Sequence, residues 1–389
     1  MEAKTRVLIV SHYWPPHIGG VETVAANQAK YLACHGFTVS VLTSDVGLGE
    51  ENPHTDDITV VKIKSANWFE KFGIPYPIFS PKLLMKSYQM VKDADVIIVH
   101  DSLYLNCVVT AILGKFKKKP CILIQHSPDL KYRFPWNVIK WIADRSLGKI
   151  TYSLSTRICA VSEYTARFVR QFVGQKDIQV LHNGISLEEF ISPSRSKNEI
   201  KEYLSLSDDQ FVVLSVRRLV ERNGIELLIE CARRLRSMEN ISFVIVGDGP
   251  MRNRIDSQIA KSNLKNVHMV GFVEDAELAN YYQMCDVYIL PSISGEGFGL
   301  TVLEAFASGK PVITFSGSGA DDIIVDRLNG FLIQDMDAGS MAEKILYISD
   351  NPSMLEGMAD ATLKKAASLT WNVNGEKLVH IIQDTVILE

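Results

Sequence analysis

Residues 6–36 read RVLIVSHYWPPHIGGVETVAANQAKYLACHG, and this stretch decides the fold. Its first six residues (RVLIVS) are an almost unbroken apolar run, the pattern of a strand buried on both faces of a parallel sheet. A loop holding the pair Gly19-Gly20 follows. Residues 22–35 then place Val24, Ala25, Ala29 and Leu32 on one face of a helix, and Gly36 stands where a C-cap is expected. With a second apolar run at 38–42 (TVSVL), the stretch reads as one β-α-β unit.

The pattern continues outward. Strand-like runs at 60–63, 96–100, 122–125 and 157–161 complete a first series. A second series has runs at 211–216, 241–246, 267–270, 287–290 and 311–314, with helical patterns at 224–238, 251–262, 276–284 and 300–307 between them. Two such series in tandem predict an α/β protein of two doubly wound, Rossmann-like domains. The length of 389 residues agrees, because a domain takes about 100–200 residues. His182-Asn183-Gly184 and Ser192-Pro193-Ser194 punctuate the chain between the series. They suggest a first domain at residues 1–185 and a second at 186–370. A last helix within 371–389 could pack on either domain, crossing back to the first included.

Composition narrows the class. With 47% hydrophobic and 22% charged residues the chain is neither disordered nor fibrous. It has no run of about 18 uncharged apolar residues, as a transmembrane helix needs. Met1-Glu2-Ala3-Lys4-Thr5-Arg6 leads directly into a strand without a signal-peptide core. Cys34, Cys107, Cys121, Cys159, Cys231 and Cys285 are scattered without a C-x-x-C, so they read as reduced core thiols in a cytoplasmic protein. A formal charge of -4 argues against a nucleic-acid partner. Residues 1–189 carry 22 Lys+Arg against 17 Asp+Glu, a net of +5, and the rest of the chain a net of -9. The division fits two domains with different partners, or ordinary variation on solvated faces.

In open α/β sheets ligands bind beyond the carboxyl ends of the strands. After the first strand, Gly19-Gly20 is either a tight turn or a place where backbone approaches a phosphate at a helix start. It is not G-x-G-x-x-G, so a nicotinamide or flavin cofactor loses its main support. The richest loop follows residues 287–290. It runs Pro291-Ser292-Ile293-Ser294-Gly295-Glu296-Gly297-Phe298-Gly299-Leu300 and reaches Glu304 inside the next helix. Its glycines open the amides of a helix start to an anion. Its two carboxylates can accept hydrogen bonds from sugar hydroxyls. A glycine-rich turn with two solvated glutamates fits the same spacing.

Glu296 and Glu304 form an E-x7-E pair within S-G-E-G-F-G-L-x-x-x-E-A-x-A-x-G-x-P-V. The chain here resembles the retaining glycosyltransferases of family 4, also called glycosyl transferases group 1. Their GT-B fold has two Rossmann-like domains facing across a cleft. The resemblance extends through Gly19-Gly20, His182-Asn183-Gly184-Ile185, Val216-Arg217-Arg218-Leu219, Val246-Gly247-Asp248-Gly249-Pro250 and Gly271-Phe272-Val273, in order. It implies that Glu304 holds the ribose hydroxyls of a nucleotide-sugar donor and Glu296 the hydroxyls of the transferred sugar. Amides of Gly297, Phe298, Gly299 and Leu300 would line the donor sugar and diphosphate. Val273 and Asp275 would contact the base, and Arg218 would pair with the diphosphate. Gly19 and Gly20 would approach the β-phosphate with Tyr13 nearby. His126 would lie beside the donor sugar, although a histidine at a strand end is also a common structural residue.

One departure stands out. The resembled pattern ends in Lys-Gly near Arg218, whereas this chain reads Glu221-Arg222-Asn223-Gly224. Asn223 is neutral at the lysine position, and Arg222 is expected to supply the missing charge. No H-E-x-x-H, strand-end D-x-D or Cys/His cluster suggests a metal, and no cofactor is implied.

Aromatic residues mixed with lysines recur in the first half, at residues 68–72 (WFEKF), 115–119 (KFKKK) and 134–141 (FPWNVIKW). They suit an anionic membrane surface, or equally a core and an ordinary solvated turn. The expected protein is a retaining, metal-independent hexosyltransferase. It would move sugar from a UDP- or GDP-sugar to an acceptor hydroxyl on a glycan or lipid-linked sugar, in the cytoplasm or peripherally on the membrane. A GT-B epimerase or phosphorylase, or a non-catalytic nucleotide-sugar-binding protein, is the alternative.

Overall fold

A computed structural model describes residues 4–47, 58–70, 73–130, 132, 134–174 and 176–387. The chain divides into two units, Met1–Gly184 with Trp371–Glu389 and Ile185–Thr370.

Unit 1 contains β1 (Arg6–Val10), β2 (Thr38–Ser44), β3 (Ile58–Ile63), β4 (Ser65–Ala66), β5 (Ile78–Phe79), β6 (Val96–His100), β7 (Cys121–Gln125), β8 (Arg157–Ala160) and β9 (Ile178–Val180). Seven of them form a parallel sheet in the order β3-β2-β1-β6-β7-β8-β9, and β4 and β5 make a small antiparallel pair. The apolar runs form central strands because helices cover both faces. Every residue of β6 and β7 is buried, and Leu8, Val10, Ile97, Val99 and Leu123 share one core.

The last helix, Trp371–Ile387, belongs to this unit and packs on the helix Gly20–Cys34. Gln28 donates to Asn374 at 3.0 Å, and Asn374 in turn donates to the carbonyl of His182 at 2.7 Å. Gly375 permits the approach, since a Cβ there would lie 2.2 Å from Cγ of Tyr31.

Unit 2 repeats the scheme with β10 (Phe211–Val216), β11 (Ile241–Val246), β12 (Val267–Gly271), β13 (Val287–Leu290), β14 (Val312–Phe315) and β15 (Gly330–Ile333). They form a parallel sheet in the order β12-β11-β10-β13-β14-β15. The chain winds outward from β10 to β12, then returns to build the other half from β13. The order therefore reverses between β10 and β13, and the loops after these strands flank the crevice where such sheets bind ligands. In unit 1 the reversal falls between β1 and β6.

The strands β4, β5, β9 and β15 escaped the sequence reading. β4 and β5 have two residues each, β9 has three and β15 opens on a glycine, so none presents a long β-branched run. The cysteines differ from expectation at one place: five are buried thiols, but Cys34 is exposed at the end of its helix. Lys71 and Phe72, part of one aromatic-lysine stretch, lie outside the described residues. Among the described residues no helix is long and apolar enough to cross a membrane.

Candidate functional site

In unit 2 the loops after β10 and β13 are locked together. Gly224 has a φ of +71°, and a Cβ there would sit 1.7 Å from the carbonyl oxygen of Pro291. Only glycine suits both the left-handed conformation and this approach. The amide of Ile293 donates to the carbonyl of Arg222 at 3.0 Å across the same junction.

This docking gathers side chains distant in sequence. Arg217, whose side chain is 8% exposed, donates to Glu296 Oε2 at 2.9 Å and to Asn223 Oδ1 at 3.3 Å. It also donates to Ser292 Oγ, which donates to Glu296 at 3.2 Å. Asn223 donates to the carbonyl of Arg218 at 2.7 Å and so holds its own turn. Arg218 itself is exposed. The Arg222 side chain is half-buried and forms no ion pair among the described residues. The guanidinium brought to Glu296 therefore belongs to Arg217, a residue the sequence reading quoted without giving it a role.

The glycine-rich loop ends at Gly299, in the left-handed region at φ +92°, which caps the helix Leu300–Ala307. The amide of Val302 donates to the carbonyl of Gly299 at 2.9 Å, the amides before it have no carbonyl partner within their own helix, and no side chain caps them. Gly319 backs this loop. Its amide donates to the carbonyl of Glu296 at 3.0 Å, and a Cβ would stand 1.9 Å from the carbonyl oxygen of Gly297.

Glu304, one turn into the helix, accepts a hydrogen bond from the buried hydroxyl of Tyr282 at 2.7 Å. Burial pushes its carboxyl up to about 7. The Tyr282 bond opposes that rise, and the carboxylates of Asp275 and Glu189 add to it. Asp275 thus shares an electrostatic environment with Glu304. It begins the helix Asp275–Met284, with half-buried Val273 just before it. The two glutamates have different surroundings: Glu296 is set against a cation, Glu304 against a phenol and two carboxylates.

In unit 1 the loop after β1 is tightly packed. His12 stacks on Tyr104 with ring centroids 3.6 Å apart. Tyr13 is buried, stacks on His17 and gives its hydroxyl to Asn67 at 2.7 Å. Gly19 precedes the helix in extended backbone, and Gly20, its first residue, is exposed. A Cβ on Gly19 would meet the carboxyl of Glu22, a buried group paired with His17.

His126 follows β7. Its ring shares a 2.9 Å hydrogen bond between its Nε2 and Nδ1 of His100, and its amide donates to Asp101 at 2.8 Å. Burial lowers the proton affinity of His12, His100 and His126 and so favours the neutral imidazole at all three. For His126 the carboxylates of Asp101 and Glu22 offset part of that effect. His100 and Asp101 went unassigned in the sequence, because their closeness to His126 comes from the β6–β7 pairing.

Gln125 and Ser127, on either side of His126, also border an apolar cavity of about 320 Å³ walled by Tyr76, Leu130, Trp136 and Leu147. The helix Trp136–Ala143 forms part of this wall yet buries none of its residues. Its outer side exposes Val138, Trp141 and Ile142, and Arg145 lies 4.2 Å from the Trp141 ring.

Two family models match in tandem: Glycosyltransferase Family 4 over residues 18–189 and Glycosyl transferases group 1 over residues 196–365. The chain is 25% identical to the alpha-monoglucosyldiacylglycerol synthase of Acholeplasma laidlawii, over 94% of this chain and 92% of that one. It is 26% identical to an Escherichia coli UDP-Gal:alpha-D-GlcNAc-diphosphoundecaprenol alpha-1,3-galactosyltransferase, over 86% of each. The fold matches Anabaena HepE, solved in complex with UDP, with a TM-score of 0.80 at 18% identity over 98% of this chain and 100% of that one. The protein is a sugar transferase of the GT-B fold, a member of the glycosyltransferase family 4-like proteins.

Proposed function

We propose that the protein is a retaining, metal-independent hexosyltransferase that takes its sugar from a UDP- or GDP-sugar. The observation that carries this reading is the division of labour at one helix start. Glu304 sits beside Tyr282 inside the helix, and Glu296 sits beside Arg217 in the loop before it. Glu304 is assigned the ribose hydroxyls, Glu296 the hydroxyls of the transferred sugar, and Val273 and Asp275 the base. Amides of residues 297–300 and the guanidinium of Arg218 are assigned the diphosphate. Helix-start amides and fixed cations stabilise charge on a leaving phosphate without a metal. In unit 1, Gly19, Gly20 and Tyr13 are assigned the β-phosphate side and His126 the sugar. A neutral imidazole there can donate or accept a hydrogen bond but carries no charge.

No side chain stands out as a covalent nucleophile. We therefore favour a same-face reaction in which the bond from the sugar to the β-phosphate breaks as the acceptor oxygen bonds to the same carbon. The acceptor proton passes to the departing phosphate. A panel of nucleotide-sugars tested by thermal shift identifies the donor, since a ligand at 100 times its Kd adds about 2.7 kcal/mol of stability. A panel in which no nucleotide raises the melting temperature would reject the reading.

The acceptor is proposed to be lipid-linked, with peripheral contact to an anionic membrane. Two relatives carry lipid acceptors or products in their names. The apolar cavity beside His126 and the unburied apolar helix Trp136–Ala143 support the same assignment. A helix that is apolar on its outer side needs an apolar surrounding, and an acyl or isoprenoid chain at a membrane surface offers one.

A further inference from the structure

We infer that Arg217 binds the β-phosphate of the donor and supplies the cation that Asn223 does not. The inference rests on the nucleotide-sugar reading above. Its observation is the position of one almost buried guanidinium, which bonds Glu296, Asn223 and Ser292 together.

Three features point to the phosphate next to the sugar. First, the guanidinium is 2.9 Å from Glu296, the carboxylate assigned to the sugar, whereas Glu304, assigned to the ribose, bonds to Tyr282. Second, it lies 3.3 Å from the Asn223 side chain, so positive charge already stands at that position. A lysine at 223 would bring its ammonium against this guanidinium, and asparagine is the residue type that can instead accept from it. Third, Arg217 directly follows β10 and Ser292 and Glu296 follow β13, so the group sits at the reversal of strand order. A guanidinium with five donors can hold Glu296 and still offer donors to a phosphate oxygen. Arg217 then acts twice, orienting the sugar carboxylate and balancing the leaving group.

The test is calorimetric binding of UDP, GDP, UMP and GMP. Arg217→Gln should weaken whichever diphosphate binds by tenfold or more. The corresponding monophosphate should change by less than about threefold, because it lacks the β-phosphate; a charged hydrogen bond is worth about that tenfold factor or more. Adding Asn223→Lys to Arg217→Gln should recover most of the lost affinity, since the ammonium then has the place to itself. Equal losses for diphosphate and monophosphate, no loss, or a double variant no better than Arg217→Gln would each overturn the assignment. If Arg217→Gln does not fold, Arg217→Lys takes its place and should keep diphosphate affinity within about tenfold; a larger loss overturns the proposal. A wild-type protein that binds none of the four nucleotides removes the donor reading itself, and this inference falls with it.

Discussion

The hydroxyl of Tyr282 donates to the carboxylate of Glu304 across 2.7 Å, and this bond opposes the burial that raises the Glu304 carboxyl to about 7. A carboxylate poised so close to neutrality makes donor binding and stability both depend on pH.

Donor binding should weaken in acid. Ribose hydroxyls donate best to an ionised Glu304, so affinity for UDP or GDP should fall as pH drops through about 7, by up to about tenfold per unit for one coupled proton. Tyr282→Phe removes a donor to the ionised form and should shift the midpoint upward. Titration calorimetry between pH 5.5 and about 8.5 checks both. An affinity that does not change with pH would contradict the assignment.

Stability should run the other way. The folded proton affinity of Glu304 lies above its unfolded value near 4.5, so its favourable contribution is complete below that pH and is lost as pH rises through about 7. Glu304→Gln should therefore gain on wild type in melting temperature between acid and alkaline buffer. Parallel curves for the two proteins would argue against a buried, raised carboxyl.

The two glutamates should separate in kinetics. Glu304→Ala should cost free nucleotide and donor alike at least about tenfold in affinity, the effect of losing a hydrogen bond to a charged group at about 1.5–3 kcal/mol. Glu296→Ala should leave free-nucleotide affinity nearly intact while lowering kcat. Equal effects on nucleotide affinity would merge the two subsites.

Membrane contact should need both charge and the apolar helix. Sedimentation with anionic vesicles should fall as salt shortens the Debye length from about 10 Å at 0.1 M to about 3 Å at 1 M. Trp141→Glu combined with Ile142→Glu should weaken it further, because both side chains are exposed on the outer side of Trp136–Ala143. Equal binding to neutral and anionic vesicles, or none to either, would defeat the assignment.

Legibility in the sequence followed the range of each interaction. Strands such as β6 and β7 could be read because every residue is buried, leaving continuous apolar runs. The glycine-rich helix start and its two glutamates were contiguous, and the helix forms over the residues expected. Arg217 gave no local signal, since its role depends on Gly224 letting one loop settle on Pro291. The bond between His100 and His126 spans 26 positions and exists through strand pairing. The aromatics at 134–141 suit a membrane surface or a core but give no sign of the cavity behind them, whose other walls come from the loops after β4, β6 and β7 and from Phe168.

The central claim is sugar transfer from a nucleotide diphosphate with retention. Its most direct measurement incubates the protein with a labelled UDP- or GDP-sugar and a membrane lipid extract. Released nucleoside diphosphate is followed together with the configuration of the new glycosidic bond by NMR. The account predicts stoichiometric diphosphate release, label in the lipid fraction, the same anomeric configuration as in the donor, and, at limiting donor, release and labelling lowered at least about tenfold in Glu304→Ala. A donor that binds but releases no diphosphate, or a product of inverted configuration, would contradict it.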